Sequence, residues 1–235
     1  MTKKQIVRYL ILRTVGNFLL LFAIFGVLAT FGPTLYFEIG FRIAKLRGIN
    51  YTVAKVQTTG FGEILAKEKE NQNPTGFAQI LTGPKEQILT PSDTQFDILI
   101  PKIGANVKIF PNVDSSNEKE FLSVLSKGVA HAKGTVFPGM GGNIYLFAHS
   151  TDNWWNVGRY NAVFYLIKDL QPGDDIVIFF NNQRHNYVVS ESKVVDPSDV
   201  SYITQANTGT ETLILQTCWP PATTWKRLLV FAKPK

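Results

Sequence analysis

A stretch of 24 residues without a single charge constrains this chain most. It runs from Thr14 to Phe37 and is rich in Leu, Phe, Ile and Val. As a helix it would be roughly 36 Å long, enough to cross the ~30 Å hydrocarbon core of a bilayer with some tilt. A core helix is rarely apolar on every face, and the apolar part of a cleaved signal peptide is usually shorter, about 7–15 residues. The stretch therefore predicts an uncleaved membrane anchor over residues 14–37.

The charges that flank this stretch predict its orientation. Four basic residues and no acidic ones precede it, whereas Arg42, Lys45 and Arg47 follow it, partly offset by Glu38. By the positive-inside rule, residues 1–13 form a cytoplasmic tail and the rest of the chain lies outside the cell. No second apolar stretch of spanning length follows. We therefore expect a single-pass protein of the cell membrane with an extracytoplasmic C-terminal part.

The net charge of +6 does not indicate nucleic-acid binding. The tail carries four of the positive charges, and the remaining residues carry 20 basic and 18 acidic side chains. Beyond the anchor, no cluster of Lys and Arg is interleaved with aromatic residues, the pattern expected of a nucleic-acid interface. We therefore expect no nucleic-acid partner.

Residues 38–94 have the composition of a stalk or linker. The segment 66–76 is polar and ends in the helix breakers Pro74 and Gly76. Such a composition is typical of a spacer that holds a domain away from a membrane.

From residue 95 to the C-terminus, the sequence predicts an all-β domain. Short apolar or alternating runs are separated by turn residues, and Asn181–Asn182 has the composition of a hairpin turn. One short helix is expected at Glu118–Leu125, with Asn117 as its N-cap. The pattern favours seven or eight strands in a closed or sandwiched domain. The runs are Phe96–Ile100, Ala105–Phe110, Ile144–Ala148, Val163–Ile167, Asp175–Phe180, Asn186–Ser190, Leu213–Thr217 and Arg227–Ala232.

Three reactive side chains lie at the edges of these predicted strands. Cys218, the only cysteine, follows Leu213–Thr217; His149 follows Ile144–Ala148; and Arg227 opens the last strand. A lone cysteine is either a buried core residue or a nucleophile. A thiolate needs a cationic neighbour, which a histidine supplies, and an arginine stays protonated and suits an oxyanion. The three together are the parts of a cysteine acyl-transfer site.

The sequence around these residues resembles the sortase family of membrane-anchored cysteine transpeptidases, over roughly residues 96–235. The order His, Cys, Arg along the chain matches that family. One departure is Ile214, which stands where the family's TLxTC motif has its first threonine. Three blocks carry the resemblance: Gly128–Thr135 with the glycine-rich stretch 138–143 that leads into Ala148 and His149; Leu170–Asp174, similar to the Leu-x-x-Gly-Asp segment; and Leu215–Cys218 followed by Arg227–Val230.

The resemblance implies an eight-stranded sortase-like β-barrel with short helices as the catalytic domain, residues 95–235. It implies that Cys218 attacks a C-terminal LPxTG-like sorting signal of a surface protein and forms a thioester, with His149 as the proton-transfer residue and Arg227 as the oxyanion donor. The acyl group then passes to an amine of a cell-wall precursor or a pilin lysine. No cofactor and no metal are expected.

Several further residues are candidates for contact with the substrate. They are Thr217 and Trp219 beside the cysteine, Trp154 and Trp155 after the histidine, and His131 in the first block. Trp154 and Trp155 either wall the groove or pack on the barrel. For His131, packing in the interior is the favoured alternative.

Two other classes of function remain open. A different thiol transpeptidase acting on peptidoglycan would carry a Ser-x-Gly-Cys pattern, which Gln216 and Thr217 do not supply. A non-catalytic, membrane-tethered binding or assembly module on the same barrel would not need the thiol. Within the sortase reading, wall anchoring is preferred over pilus polymerisation, because no Asp-Pro lid motif precedes the barrel and no second membrane span follows. The segment Ile88–Ser92 is the remaining candidate for a cover over the groove.

Overall fold

The computed structural model describes residues 3–54, 81, 83–150, 164–204, 209–221 and 223–235. Helix α1 is continuous over Lys3–Leu46. Among the described residues it is the one helix with the length and composition to cross a membrane, and Lys3–Leu28 meets both criteria. The predicted N-terminal apolar helix is confirmed, although the helix itself continues well past the predicted end of the span.

A closed eight-stranded barrel forms the C-terminal domain, as predicted, in the order β10-β8-β7-β3-β4-β5-β6-β9. A separate parallel pair, β1 and β2, precedes it. The strands are β1 Asn50–Val53, β2 Glu86–Leu89, β3 Phe96–Ile100, β4 Ala105–Val113, β5 Val129–Ala132, β6 Asn143–Phe147, β7 Asp175–Phe180, β8 Gln183–Val195, β9 Thr212–Trp219 and β10 Lys226–Pro234. The helices described after α1 include α2 Glu118–Leu125, α3 Ser201–Thr204 and the 3₁₀ turns Pro101–Ile103 and Tyr165–Asp169.

The strand directions define two ends of the barrel. Strand β3 is antiparallel to β4, β4 is parallel to β5, β5 is antiparallel to β6, and β6 is parallel to β9. Strands β3, β6 and β9 therefore finish at the same end, where β4 and β10 begin. We call this end the docking end, because α1 contacts the barrel there.

Local sequence explains several of these elements. Asn181 and Asn182 have φ angles of 49° and 63°, as a two-residue hairpin between β7 and β8 requires, and asparagine tolerates this region better than most residues. Asn117 caps α2 by accepting a hydrogen bond from the backbone N–H of Glu120. Both features were predicted from the sequence.

Two elements differ from the prediction. The apolar run Val163–Ile167 contributes no strand among its described residues; it leads into the 3₁₀ turn Tyr165–Asp169. Phe164 and Ile167 pack into the barrel core, whereas Tyr165 and Leu166 pack on Phe41 of α1. A run of residues that is buried on every side shows neither helical nor strand periodicity. Its sequence alone therefore does not distinguish a helix from a strand. Strand β5 was missed because its four residues are too short to show alternation.

The two ends of the predicted stalk are folded against the barrel. Val53 of β1 and Leu89 of β2 pack on an outer patch formed by Leu99, Val177 and Phe179. This patch lies on β3 and β7, and β3 stands directly opposite β9 in the closed ring. The prediction that Ile88–Ser92 covers the groove beside Cys218 is therefore wrong. The polar segment 66–76 lies outside the described residues.

A buried carboxylate holds the connection into the barrel. Asp97 on β3 is fully buried and accepts hydrogen bonds from the backbone N–H of Ser92 (2.6 Å), its hydroxyl (2.7 Å) and the N–H of Asp93 (3.1 Å). Burial raises the pKa of Asp97, whereas these hydrogen bonds oppose the rise. One side chain thus fixes the turn that ties the β1–β2 pair to the barrel.

We expect Asp97→Ala to destabilise the domain by about 1–3 kcal/mol, because buried backbone donors lose their acceptor. Urea unfolding of the full chain in detergent checks this. The matched control is Asp175→Ala, which removes an exposed ion pair with Lys235 and should change the free energy of unfolding by less than about 1 kcal/mol. Equal effects of the two substitutions would contradict the structural role of Asp97.

Candidate active site

Strand register brings the three predicted catalytic residues to one level of the barrel. Cys218 near the end of β9 pairs directly with Arg227 at the start of β10. On the other side, Phe147 of β6 pairs with Gln216, and the N–H of Ala148 donates to the carbonyl of Gln216 at 3.2 Å. Extended by two residues, this parallel register puts His149 level with Cys218. Directly paired residues on neighbouring strands have Cα atoms about 4.5–5.5 Å apart, within reach of each other's side chains.

Alternation along β9 decides which side chains face the groove. Leu213, Leu215 and Thr217 point into the barrel and are at most 2% exposed, whereas Gln216 and Cys218 are half-buried on the outer face. Register partners share a face of the sheet, so Arg227 lies on the outer face with Cys218. The thiol is free and half-buried, which keeps it accessible to a substrate while limiting its contact with water.

The guanidinium of Arg227 uses only part of its N–H donors in contacts with the described residues. Its Nη1 donates to the carbonyl oxygens of Thr224 and Lys226, each at 3.1 Å. Among the described residues, no acceptor takes Nε or Nη2, and no carboxylate forms an ion pair with this arginine. The backbone contacts hold one arm of the fork, and the other donors remain available for a carbonyl oxygen or an oxyanion.

Thr217 acts on His149 through the backbone rather than on a ligand. Its buried hydroxyl donates to the carbonyl oxygen of Ala148 at 3.1 Å. Because the side chain points into the barrel, it cannot contact a peptide in the outer groove. This geometry does not support the substrate contact predicted for Thr217; it bonds the side chain to the backbone of Ala148, the residue before His149.

His131 is also removed from the substrate-binding candidates. Its ring is fully buried and stacks on Phe137, with ring centroids 4.5 Å apart. Nδ1 accepts from the N–H of Asn112 at 3.3 Å, and Nε2 lies 3.0 Å from the carbonyl of Val136, so the proton is assigned to Nε2. Burial lowers the pKa of His131, and the bond to Val136 only partly opposes this. The packing alternative is the one this geometry supports.

The tryptophan candidates have different outcomes. Trp219 is half-buried and packs against the barrel core from the end of β9. Trp154 and Trp155 lie outside the described residues. Contact of these three residues with a substrate stays a prediction.

No sequence pattern singles out Tyr145, which the structure places in the floor of the site. Tyr145 is 2% exposed, and its hydroxyl donates to Oε1 of Gln216 at 2.6 Å. Burial raises the pKa of Tyr145, and the nearby positive charge of Arg227 opposes this. The bond occupies the acceptor of the Gln216 amide and leaves its N–H donors on the face of Cys218. Only the register of β6 against β9, which the sequence does not show, links these two residues.

Within the described part of the chain, no group of three or more His, Cys, Asp or Glu side chains is placed to hold a metal ion. Strand register brings a cysteine, a histidine and an arginine to one level at one end of the β-barrel. Such a set can perform nucleophilic acyl transfer without further groups.

Comparison with known proteins agrees with this class. The Sortase domain family model matches residues 98–235. Sortase D of Bacillus subtilis strain 168 is 31% identical over 121 residues, which are 52% of this chain and 52% of that protein. The match thus spans about half of the curated relative.

Two solved structures extend the comparison. A Sortase D5 transpeptidase of Clostridium perfringens is 26% identical, with a TM-score of 0.50 over 75% of this chain and 90% of that one. Sortase C-1 of Actinomyces oris is 25% identical, with a TM-score of 0.50 over 61% of this chain and 76% of that one. The chain belongs to the sortase family.

We expect the stability of the protein to fall as the pH drops below about 6.5, the pKa of an unperturbed histidine. The sign follows from the lowered pKa of His131. Its neutral form is favoured in the folded state, so its contribution is complete above the unfolded pKa and is lost as the pH falls towards the folded pKa, at up to about 1.4 kcal/mol per pH unit.

Urea midpoints measured between pH 5 and 8 test this expectation. His131→Gln should weaken the dependence of the urea midpoint on pH, whether or not the substitution changes the stability at neutral pH. The control Gln183→Ala, at an exposed position at the start of β8 that carries no titratable group, should keep the pH dependence. An unchanged slope in His131→Gln would show that another group titrates.

Proposed function

We propose that this protein is a membrane-anchored cysteine transpeptidase that acts on the C-terminal sorting signal of surface proteins. The observation that carries the proposal is the register that aligns Cys218 with Arg227 and His149. No acceptor among the described residues binds Nε or Nη2 of the arginine. Family membership supports it. The apolar helix supports anchoring in the cell membrane, with the barrel outside.

The proposed reaction has two acyl-transfer steps. The Cys218 thiolate attacks the threonine carbonyl of an LPxTG-like peptide, and the oxyanion that forms accepts hydrogen bonds from Arg227. Protonated His149 gives its proton to the departing glycine amine, which leaves a thioester. An amine of a cell-wall precursor or of a pilin lysine then attacks the thioester and loses a proton to His149. One amide bond is broken and one is formed, so no ATP is needed.

The outer face offers room for the rest of the peptide. A cavity of about 360 Å³ lies towards the start of β9, on the same face of the sheet as Cys218. Its lining includes Ile214, Phe231 and Tyr202. The amide of Gln216 lies between this cavity and the thiol, with its N–H groups directed by the bond from Tyr145. We propose that the cavity binds a side chain of the sorting signal and that the Gln216 amide donates hydrogen bonds to the backbone of that peptide.

The proposal predicts a covalent adduct on Cys218. Intact mass spectrometry of the full chain in detergent, after incubation with LPxTG-like peptides, should show a mass increase equal to the acyl fragment that precedes glycine. Cys218→Ala should show none. Arg227→Ala should form the adduct about 10²–10³-fold more slowly, the usual effect of removing an oxyanion donor.

The neighbouring Lys226→Ala is the matched control for Arg227→Ala. Lys226 makes only an exposed ion pair with Asp196, so the rate of adduct formation should stay near that of the natural protein. If no peptide forms an adduct while the protein is folded and its thiol can be alkylated, the non-catalytic binding module becomes the better account.

A second prediction concerns the positioning role of Thr217. Thr217→Val removes the hydroxyl that holds Ala148 and should lower kcat roughly 3–10-fold with little change in KM, as expected for one buried hydrogen bond. Thr217→Ser should restore kcat, because it keeps the donor. Thr94→Val, which removes a hydroxyl bonded to Asn182 at the far end of the barrel, is the control. A change in KM alone, or no rescue by serine, would place Thr217 outside this role.

A further inference from the structure

The end of α1 is bound to the barrel immediately after its uncharged stretch. Glu38, the first charged residue after the stretch, accepts a hydrogen bond from the Tyr165 hydroxyl at 3.1 Å and pairs with the Lys168 ammonium at 3.0 Å. One turn later, Phe41 packs against Tyr165 and Leu166. The barrel contact therefore begins where the apolar stretch ends, without a spacer between them.

Further contacts along the chain make this attachment continuous. Ala44 and Ile49 are each 8% exposed. The ring of Tyr51 lies against Gly104, where an added Cβ would approach the ring to 2.9 Å. Arg184 of β8 donates to the carbonyl of Ala54 at 2.9 Å. Over residues 38–54, the chain is thus packed on the barrel rather than extended as a tether.

The same end of the barrel carries the candidate active site. Strand β3 finishes at the 3₁₀ turn Pro101–Ile103, and Ile103 packs on the cluster that holds Phe41. Strand β9 runs in the same direction as β3, so Cys218 near its end lies at the docking end. His149 follows the end of β6, and Arg227 opens β10, at that same end.

The opposite face of the attached helix segment exposes apolar and basic side chains. Ile39 is 46% and Leu46 86% exposed, and the side chain of Arg42 is 73% exposed. The spacing i, i+3, i+7 puts the three on one stripe of the helix. A headgroup layer is about 5–7 Å thick on each side, and a helix rises about 1.5 Å per residue. If the hydrocarbon ends at Phe37, Ile39 lies about 3 Å beyond it, within the headgroup layer, and Arg42 lies about 7.5 Å beyond it, at the outer edge of that layer.

We propose that the docking end of the barrel rests on the headgroups of an anionic bilayer, so that the end carrying Cys218 faces the membrane surface. This inference rests on the proposed membrane anchoring. The anionic preference follows from the exposed Lys45 and from the positive net charge of segment 38–47, whose three basic residues outnumber its one acidic residue, Glu38, which is bonded to both Arg42 and Lys168. The protein is then suited to a peptide whose cleavage point lies close to its own attachment to the membrane.

Lipid quenching of single-cysteine labels tests the proposal with the full chain in vesicles of phosphatidylcholine and phosphatidylglycerol. In a Cys218→Ser background, fluorescent labels are placed by Ile39→Cys on the helix, Gln171→Cys at the docking end and Met140→Cys at the far end of the barrel. Gln171 is exposed, and Met140 is 65% exposed. With a quencher at headgroup depth, the first two labels should lose most of their fluorescence, whereas the third should lose little.

A matched pair of double variants tests whether the α1 contact holds this orientation. Glu38→Gln with Phe41→Ala should abolish quenching at position 171 and leave it at position 39. Glu118→Gln with Leu122→Ala, on the exposed face of α2, should change neither.

The outcomes separate this inference from the proposed anchoring. If the label at position 39 is quenched and the label at position 171 is not, the inference fails although the anchor holds. A chain that does not float with vesicles overturns the anchoring itself. Equal quenching at position 171 in phosphatidylcholine alone overturns the preference for anionic lipid.

Discussion

The parallel pairing of β6 with β9 is the constraint on which the site depends. Successive side chains of a strand point to opposite faces of the sheet. If the register of β9 shifted by one residue, Cys218 would point into the barrel and Thr217 out of it. The bond from Thr217 to the carbonyl of Ala148 extends the pairing past the last residue of β6. It thereby holds His149 level with the thiol, at a point where the regular strand has already ended.

Burial and polarity support the same arrangement. The inward residues of β9 are closed off in the core, so the rigidity of the barrel is transmitted to the outer face. Arg227 is held by two backbone carbonyls, and no carboxylate in the described part of the chain pairs with it. A guanidinium held in this way is suited to donate hydrogen bonds to the oxyanion that develops in the proposed reaction.

Much of this fold could be predicted from sequence, for identifiable physical reasons. The hairpin at Asn181–Asn182 and the cap at Asn117 are local, so residue type alone indicates them. Cys218, His149 and Arg227 could be singled out because strand edges and residue order are visible in the chain, and their catalytic roles stay predictions. The run Val163–Ile167 and the segment Ile88–Ser92 were misassigned because their positions depend on distant partners. The Tyr145–Gln216 bond, likewise, depends on a register that no local pattern specifies.

The most direct test is a structure of the full chain trapped with a sorting-type peptide whose scissile amide is replaced by an electrophile. The account predicts a bond from Sγ of Cys218 to the former carbonyl carbon. It predicts the adjoining oxygen within hydrogen-bonding distance of Nε or Nη2 of Arg227, and the ring of His149 on the leaving-group side. A peptide bound on another face with an unmodified thiol, or a trapped oxygen with Arg227 turned away from it, would contradict the account.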